Sequence, residues 1–228
     1  MLEPSRKLQG GMKRSGFNVE DLPRLYAARR EEISRRVREF RNFMNRSDEE
    51  FFAELCFCLC TPQSKAVLCW NAVSRLMENR LLYTGSPEEI TPYLRGVRFK
   101  ERKAAYIVEA RRFFRGEDGL KIKDRVLAFN DPSKMRDWLV KEVKGLGMKE
   151  ASHFLRNIGL GLNLAVLDRH ILKNLKRLGV IDDLPKTLTK RLYERIERDM
   201  QVFSERIGIP MAELDLLLWS LETGFVFK

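Results

Sequence analysis

Val143-Lys144-Gly145-Leu146-Gly147-Met148-Lys149-Glu150-Ala151 is the stretch on which the reading of this chain turns. An apolar residue, then Gly-Leu-Gly, then an alanine four residues after the second glycine, describes two helices meeting at a sharp hairpin. Gly145 and Gly147 permit positive φ and let a phosphate approach the backbone closely. The N–H groups that open the second helix can then hold that phosphate, aided by the positive end of the helix dipole. The motif points to DNA contact, and other helical hairpins with Gly-x-Gly remain open at this stage.

Working outward, the punctuation is helical on both sides. Ser47 with Glu50 three residues on is a capping box that opens an apolar helix from Asp48 to Cys60. Thr61-Pro62-Gln63-Ser64 interrupts it, because Pro62 disfavours helix at Thr61. A further helix runs through Ala66, Trp70, Val73 and Leu76. Ser86-Pro87-Glu88-Glu89 is a cap, a first-turn proline and two acids, and Gly96 closes that short segment. Glu101 to Phe114 is amphipathic, and Asp131-Pro132 starts a helix reaching Val143. Lys149 to Ile158 is helical, Asp168 caps a helix to Leu178, and Thr189 starts one to about Ile207. Pro210 precedes the last helix, which ends near Gly224, and Leu22 to Met44 reads as one charged helix. Period-two alternation is nearly absent, so the expected class is all-α with about ten helices. Residues 1–19, with Lys7, Gly10, Gly11, Lys13 and Arg14, read as a loose, flexible basic arm.

Composition narrows the partner. At 228 residues and 44% hydrophobic, the chain can bury a substantial core. Its 43 Lys and Arg outweigh 32 Asp and Glu, and a net charge of +11 suits a polyanion whose condensed counterions are released on binding. No apolar run approaches the roughly 20 residues that span a bilayer, and no signal-peptide apolar segment opens the chain. Membrane and secreted classes are therefore set aside, and a cytoplasmic, nucleoid-associated protein is expected. Cys56, Cys58, Cys60 and Cys69 are spaced so that they do not converge as a metal knuckle. They read as small buried thiols, with no metal and no cofactor implied.

Two residues suggest chemistry beyond binding. Lys149 falls in the first turn of the hairpin's second helix, where the dipole disfavours an ammonium and eases formation of the nucleophilic amine. An ordinary surface lysine is the alternative. Asp168 follows the apolar run Leu164-Ala165-Val166-Leu167 and lies nineteen residues after Lys149. A carboxylate held there can stabilise an oxocarbenium-like sugar cation and help activate the attacking group, besides serving as a plain helix cap. His153 and His170 read as structural residues.

Gly145-Leu146-Gly147-Met148-Lys149 followed by Leu167-Asp168-Arg169-His170 resembles the helix-hairpin-helix DNA glycosylase superfamily. The nearer resemblance is to its second-type, or archaeal-type, 8-oxoguanine DNA glycosylase/AP lyases. It is carried by Glu54-Leu55-Cys56-Phe57-Cys58, the block Lys149 to Asn157, Ile181-Asp182 with Pro185-Lys186-Thr187-Leu188, and Glu213-Leu214-Asp215-Leu216 with Trp219. The likeness runs from about Phe40 to Lys228. No cysteine follows Cys69, so the iron–sulfur branch of the superfamily is disfavoured.

The resemblance implies a two-domain fold with the active site in the interdomain cleft. Residues 47–158 would form a central helical domain ending in the hairpin, and residues 20–46 plus 159–228 the second. It implies a bifunctional enzyme that flips 8-oxoguanine out of the duplex, excises it through a lysine Schiff base and nicks the strand by β-elimination. Lys149 and Asp168 would be catalytic, Gly145 and Gly147 would contact DNA, and Gln63 would fill the vacated stack. Phe99 and Trp219 resemble the base-stacking aromatics, since a flipped purine needs flat apolar faces. The apolar ending Gly224-Phe225-Val226-Phe227-Lys228 is expected to fold back, bringing Lys228 to the lesion pocket. Oxidation at C8 turns guanine N7 from acceptor into N–H donor, so the terminal carboxylate or a nearby carbonyl can serve as the discriminating acceptor. The expected partner is double-stranded DNA containing oxidised guanine, bound by a monomer without a small-molecule cofactor. Two other functions fit the same residues less fully: a non-catalytic helix-hairpin-helix binding module, and a glycosylase of this fold for another lesion.

Overall fold

Several helix starts are written in local hydrogen bonds. In the computed structural model, which describes residues 16–228, Ser47 Oγ accepts from Glu50 N at 3.3 Å while the Glu50 carboxylate accepts from Ser47 N at 3.0 Å. Ser86 and Glu89 repeat that exchange, and Asp131, Asp168 and Thr189 each cap a first turn. The basic arm expected over residues 1–19 lies, through residue 15, outside the described residues.

The helices in order are α1 (Leu22–Ala27), α2 (Arg30–Arg41), α3 (Asp48–Cys60), α4 (Ala66–Glu78), α5 (Leu81–Thr84), α6 (Pro87–Ile90) and α7 (Lys100–Phe114). There follow α8 (Ile122–Leu127), α9 (Pro132–Glu142), α10 (Met148–Asn157), α11 (Arg169–Arg177), α12 (Lys190–Ile207) and α13 (Met211–Thr223). The class is all-α, with one small departure among the described residues. Arg115–Gly116 (β1) pairs antiparallel with Gly119–Leu120 (β2), a ribbon too short to show as alternation in sequence. The single helix expected over Leu22–Met44 is broken after α1. Tertiary contacts hold the break: Tyr26 hydroxyl donates to Glu213 on α13, and Arg29 reaches the Gly224 carbonyl. The short helices α5 and α8 were not legible, having too few residues to display a period.

Two hydrophobic cores organise the chain. The first is drawn from Phe51 to Leu164 and centres on α3, whose residues Phe51 to Cys60 are buried on every side. An all-round apolar helix is a central helix, and α3 packs against α4, α7, α8 and α10. The four cysteines are buried, reduced thiols, three of them on α3. The second core joins Leu22, Ile33, Val37 and Phe40 to residues from Ala165 to Val226, with α13 packed against α2, α11 and α12. Two buried ion pairs cross from one core to the other, Arg136–Glu197 and Arg156–Asp215, and a third, Glu54–Lys228, ties the tail to α3. α10 stands at this seam.

Candidate active site

The hairpin glycines differ in conformation. Gly145 has φ +94°, and a Cβ there would lie 2.3 Å from the Tyr106 ring, so both backbone and space demand glycine. Gly147 is extended at φ −99°, so of the two glycines only Gly145 uses the positive φ that both permit. Its N–H donates to Glu150 Oε2 at 3.3 Å, so the acidic side chain satisfies one of the exposed donors of the α10 start.

Lys149 leaves the first turn of α10 toward a cleft of about 1430 Å³. Its ammonium sits 2.8 Å from Glu150 Oε1 and donates to Thr61 Oγ1 at 3.3 Å. The side chain is 22% exposed, open enough to meet a ligand and buried enough to be oriented. Glu150, the amine's nearest partner, was missed in sequence as a site residue, although its place beside Lys149 was in view.

Asp168 lines the same cleft from the far side of the chain's crossing between cores. Its Oδ1 accepts from Ile171 N at 2.8 Å and caps α11, so the capping role is real, and Oδ2 takes no part in it. The preceding segment lies in neither helix nor strand and turns tightly where Asp168 N donates to the Val166 carbonyl at 2.7 Å, yet it is not loose. Tyr193 hydroxyl donates to the Ala165 carbonyl at 2.6 Å and accepts from Leu167 N at 3.3 Å, while Glu197 accepts from Ala165 N at 2.7 Å. Side chains of α12 thus replace a ladder and fix where Asp168 stands.

Behind these residues runs a buried polar chain that sequence reading did not find. Lys228 Nζ donates to Glu54 Oε2 at 2.7 Å, and Asn157 Nδ2 donates to Glu54 Oε1 at 2.7 Å. Arg156 donates to Asn157 Oδ1 and pairs with Asp215. Burial pushes the Asp215 carboxyl up to about 6, with the Arg156 cation opposing the rise and the Asp168 charge adding to it. Burial likewise lowers the Lys228 ammonium below its ordinary value, with Glu54 opposing. His153, one turn along α10 from Lys149, is buried in the cleft wall, edge-on to Phe57. Burial first, then the Arg156 and Lys149 cations, hold it well below the usual histidine range, so it stands neutral.

The structure brings Gln63, Lys149, Asp168, Trp219 and Lys228 to one cleft. Gln63 is exposed at its mouth with φ +54°. Trp219 lies nearly parallel to Phe227, 6.4 Å between centroids, and edge-on to Phe225, so the tail folds back against α13. Lys228 completes the fold-back with its ammonium over the Trp70 ring. Phe99 is different: it is 51% exposed on the rim at the start of α7, outside the cleft lining, beside the Arg98 guanidinium. Gly145 and Gly147 also stand outside the lining, in the hairpin itself. Among the described residues no group of three or more His, Cys, Asp or Glu is placed to hold a metal ion, and no helix is long and apolar enough to cross a membrane.

Comparison with known proteins bears on this cleft. A family profile described as 8-oxoguanine DNA glycosylase matches residues 33–209. The chain is 44% identical to an 8-oxoguanine DNA glycosylase/AP lyase of Fusobacterium nucleatum over 218 residues, covering 95% of this chain and 100% of that protein. Among solved structures, the Methanocaldococcus jannaschii 8-oxoguanine glycosylase/lyase in complex with a 15mer DNA containing 8-oxoguanine matches with a TM-score of 0.84. That match has 38% identity over 92% of this chain and 99% of the other. The 8-oxoguanine DNA glycosylase of Thermotoga maritima matches with a TM-score of 0.82 and 32% identity, over 92% and 98% of the two chains.

Proposed function

The chain belongs to the helix-hairpin-helix family of 8-oxoguanine DNA glycosylases, and from that membership we propose which of its residues carry the chemistry. It is a DNA repair enzyme, a bifunctional glycosylase and AP lyase acting on 8-oxoguanine. Lys149 is the nucleophile. As the free amine, its Nζ attacks C1′ of the flipped nucleoside, the N-glycosidic bond breaks, and the base departs with the bonding electrons and takes up a proton. Opening of the sugar leaves a Schiff base between Lys149 and C1′. Loss of a C2′ proton then expels the 3′ phosphate by β-elimination, and water frees the lysine. Asp168 opposes the positive charge that develops on the sugar as the glycosidic bond breaks.

The observation that carries this assignment is that Lys149 and Asp168, on separate elements, line one cleft beside a hairpin suited to phosphate. Flipping costs a few kcal/mol of stacking and pairing. Gln63 fills the vacated stack, Trp219 gives the base a flat face inside the cleft, and Phe99 gives one at the rim. Gly145 and Gly147 let the backbone approach a phosphate. Lys228 lines the cleft at the base, where an acceptor distinguishes oxidised guanine. The two cores are read as two domains that meet at this cleft, with the crossing between Leu164 and Ala165. The enzyme works as a monomer on double-stranded DNA in the cytoplasm at the nucleoid, without a small-molecule cofactor.

Borohydride trapping tests the assignment. The parent chain should form a covalent adduct with 8-oxoguanine duplex, and Lys149→Gln should lose both adduct and base release while DNA affinity stays within a few-fold. A non-catalytic binding module would give no adduct with either protein, and an adduct retained by Lys149→Gln would place the nucleophile elsewhere.

A further inference from the structure

Lys103, on α7, is a buried ammonium with no carboxylate partner among the described residues. Its three N–H donors meet three acceptors instead: the Cys60 carbonyl at 2.7 Å, the Pro62 carbonyl at 2.8 Å and Ser64 Oγ at 3.2 Å. Ser64 in turn accepts from Arg98 N at 3.0 Å and donates to the Pro62 carbonyl at 3.4 Å. Lys103 N also donates to the Phe99 carbonyl at 3.0 Å, so the ammonium and its own helix start are tied into one cluster. The cluster joins the end of α3, the loop that carries Gln63 and the turn that carries Phe99.

Those two residues share an uncommon property. Among the described residues only Gln63, Arg80 and Phe99 are non-glycine residues with positive φ, at +54°, +59° and +56°. Two of the three therefore flank the same cluster, and both point exposed side chains outward at the cleft's rim. Left-handed backbone at such residues persists only where surrounding contacts over-determine it. The Gln63 side chain makes no hydrogen bond among the described residues, so its backbone is held while its amide is left free.

We propose that Lys103 and Ser64 form a clamp that holds Gln63 and Phe99 in left-handed conformations, Gln63 as a preformed wedge for the vacated stack and Phe99 as a preformed face for the flipped base at the rim. Lys103 is a positioning residue: it touches no reacting atom and acts through the loop and turn that it ties together. A preformed wedge enters the stack without first paying ordering entropy, which is the same economy a rigid binding loop shows. The inference rests on the reading of Gln63 as the stack filler. Lys103 also sits at the negative end of the α3 dipole, a role that is purely structural, and the test must separate the two.

The test compares single-turnover excision of 8-oxoguanine paired with dC against the same lesion inside a three-nucleotide mismatched bubble, where little stacking has to be replaced. Lys103→Met should slow the paired reaction by on the order of 10- to 100-fold, the scale expected for a misplaced positioning group, and the bubble reaction by less than about threefold. Equal slowing on both substrates, or paired excision within about threefold of the parent, overturns the clamp. Ser64→Ala keeps the ammonium and removes only its hydroxyl partner; it should show the same paired-substrate defect at roughly tenfold, and it serves if Lys103→Met does not fold. Gln63→Ala separates the underlying reading. If it shows the paired defect and the clamp variants do not, the clamp falls and the filler stands. If the clamp variants show the defect and Gln63→Ala does not, the filler reading falls and the clamp, which rests on it, falls with it.

Discussion

Arg136→Met should be among the most damaging single substitutions outside the cleft, and its size can be worked from the contacts. The Arg136 guanidinium is buried and grips Glu197 in two parallel bonds, at 2.7 and 2.8 Å, with a third to Ser152 Oγ at 3.1 Å. The pair ties α9 in the first core to α12 in the second. Methionine fills similar space but leaves the Glu197 carboxylate buried with one remaining donor named above, Ala165 N at 2.7 Å. Breaking one side of a buried pair costs about 3–5 kcal/mol, because the surviving charge is uncompensated. For a chain of this length each kcal/mol lowers Tm by about 2–4 °C, so the melt should fall by roughly 6–20 °C. Glu197→Gln alone should cost a comparable amount, since it strands the guanidinium. The double variant should recover to within about 1–2 kcal/mol of the parent, because the neutral amide can still accept from Ala165 N. Thermal and urea unfolding of the parent, both single variants and the double variant complete the cycle. A loss below about 1 kcal/mol in Arg136→Met, or a double variant no more stable than the two single variants, would refute the view that uncompensated buried charge sets the cost.

Three further outcomes follow from the cleft. Asp168→Asn should retain the α11 cap, since asparagine caps as well as aspartate, yet lose excision by orders of magnitude; single-turnover rates beside a thermal melt test this, and near-normal excision would leave only the cap. Deleting Lys228, which removes the Glu54 anchor at 2.7 Å, or adding a short C-terminal tag, which replaces the Lys228 carboxylate by an amide, should lower 8-oxoguanine excision while binding to an abasic-site duplex persists; unchanged excision in both variants would remove Lys228 from recognition. Asp215 makes a pH prediction. Its folded carboxyl, raised to about 6 by burial, binds a proton more tightly than the unfolded one at its ordinary 3.8. Its favourable contribution is therefore complete below that lower value and is lost as pH rises through 6. Melts at pH 5, 6 and 7 should show Asp215→Asn gaining on the parent as pH rises, and parallel curves would contradict the assigned shift.

What the sequence by itself determined is local in origin. The starts of α3, α6, α9, α11 and α12 follow from side chains that accept from backbone two or three residues away, so a short window contains the whole interaction. The hairpin turn was legible for the same reason at Gly145, and the spacing of Lys149 and Asp168 carried the resemblance to the glycosylases. Tertiary structure decided the rest. The break between α1 and α2 depends on α13, and Phe99 sits on the rim because the Ser64 and Lys103 cluster puts its turn there. The chain Lys228–Glu54–Asn157–Arg156–Asp215 was invisible because its links reach across as many as 174 residues. Each of those groups, taken singly, is an ordinary polar residue, four of them in amphipathic or apolar helices and Lys228 in the tail. Only packing shows that it is buried, and a buried charge must find its partner wherever the chain has brought one.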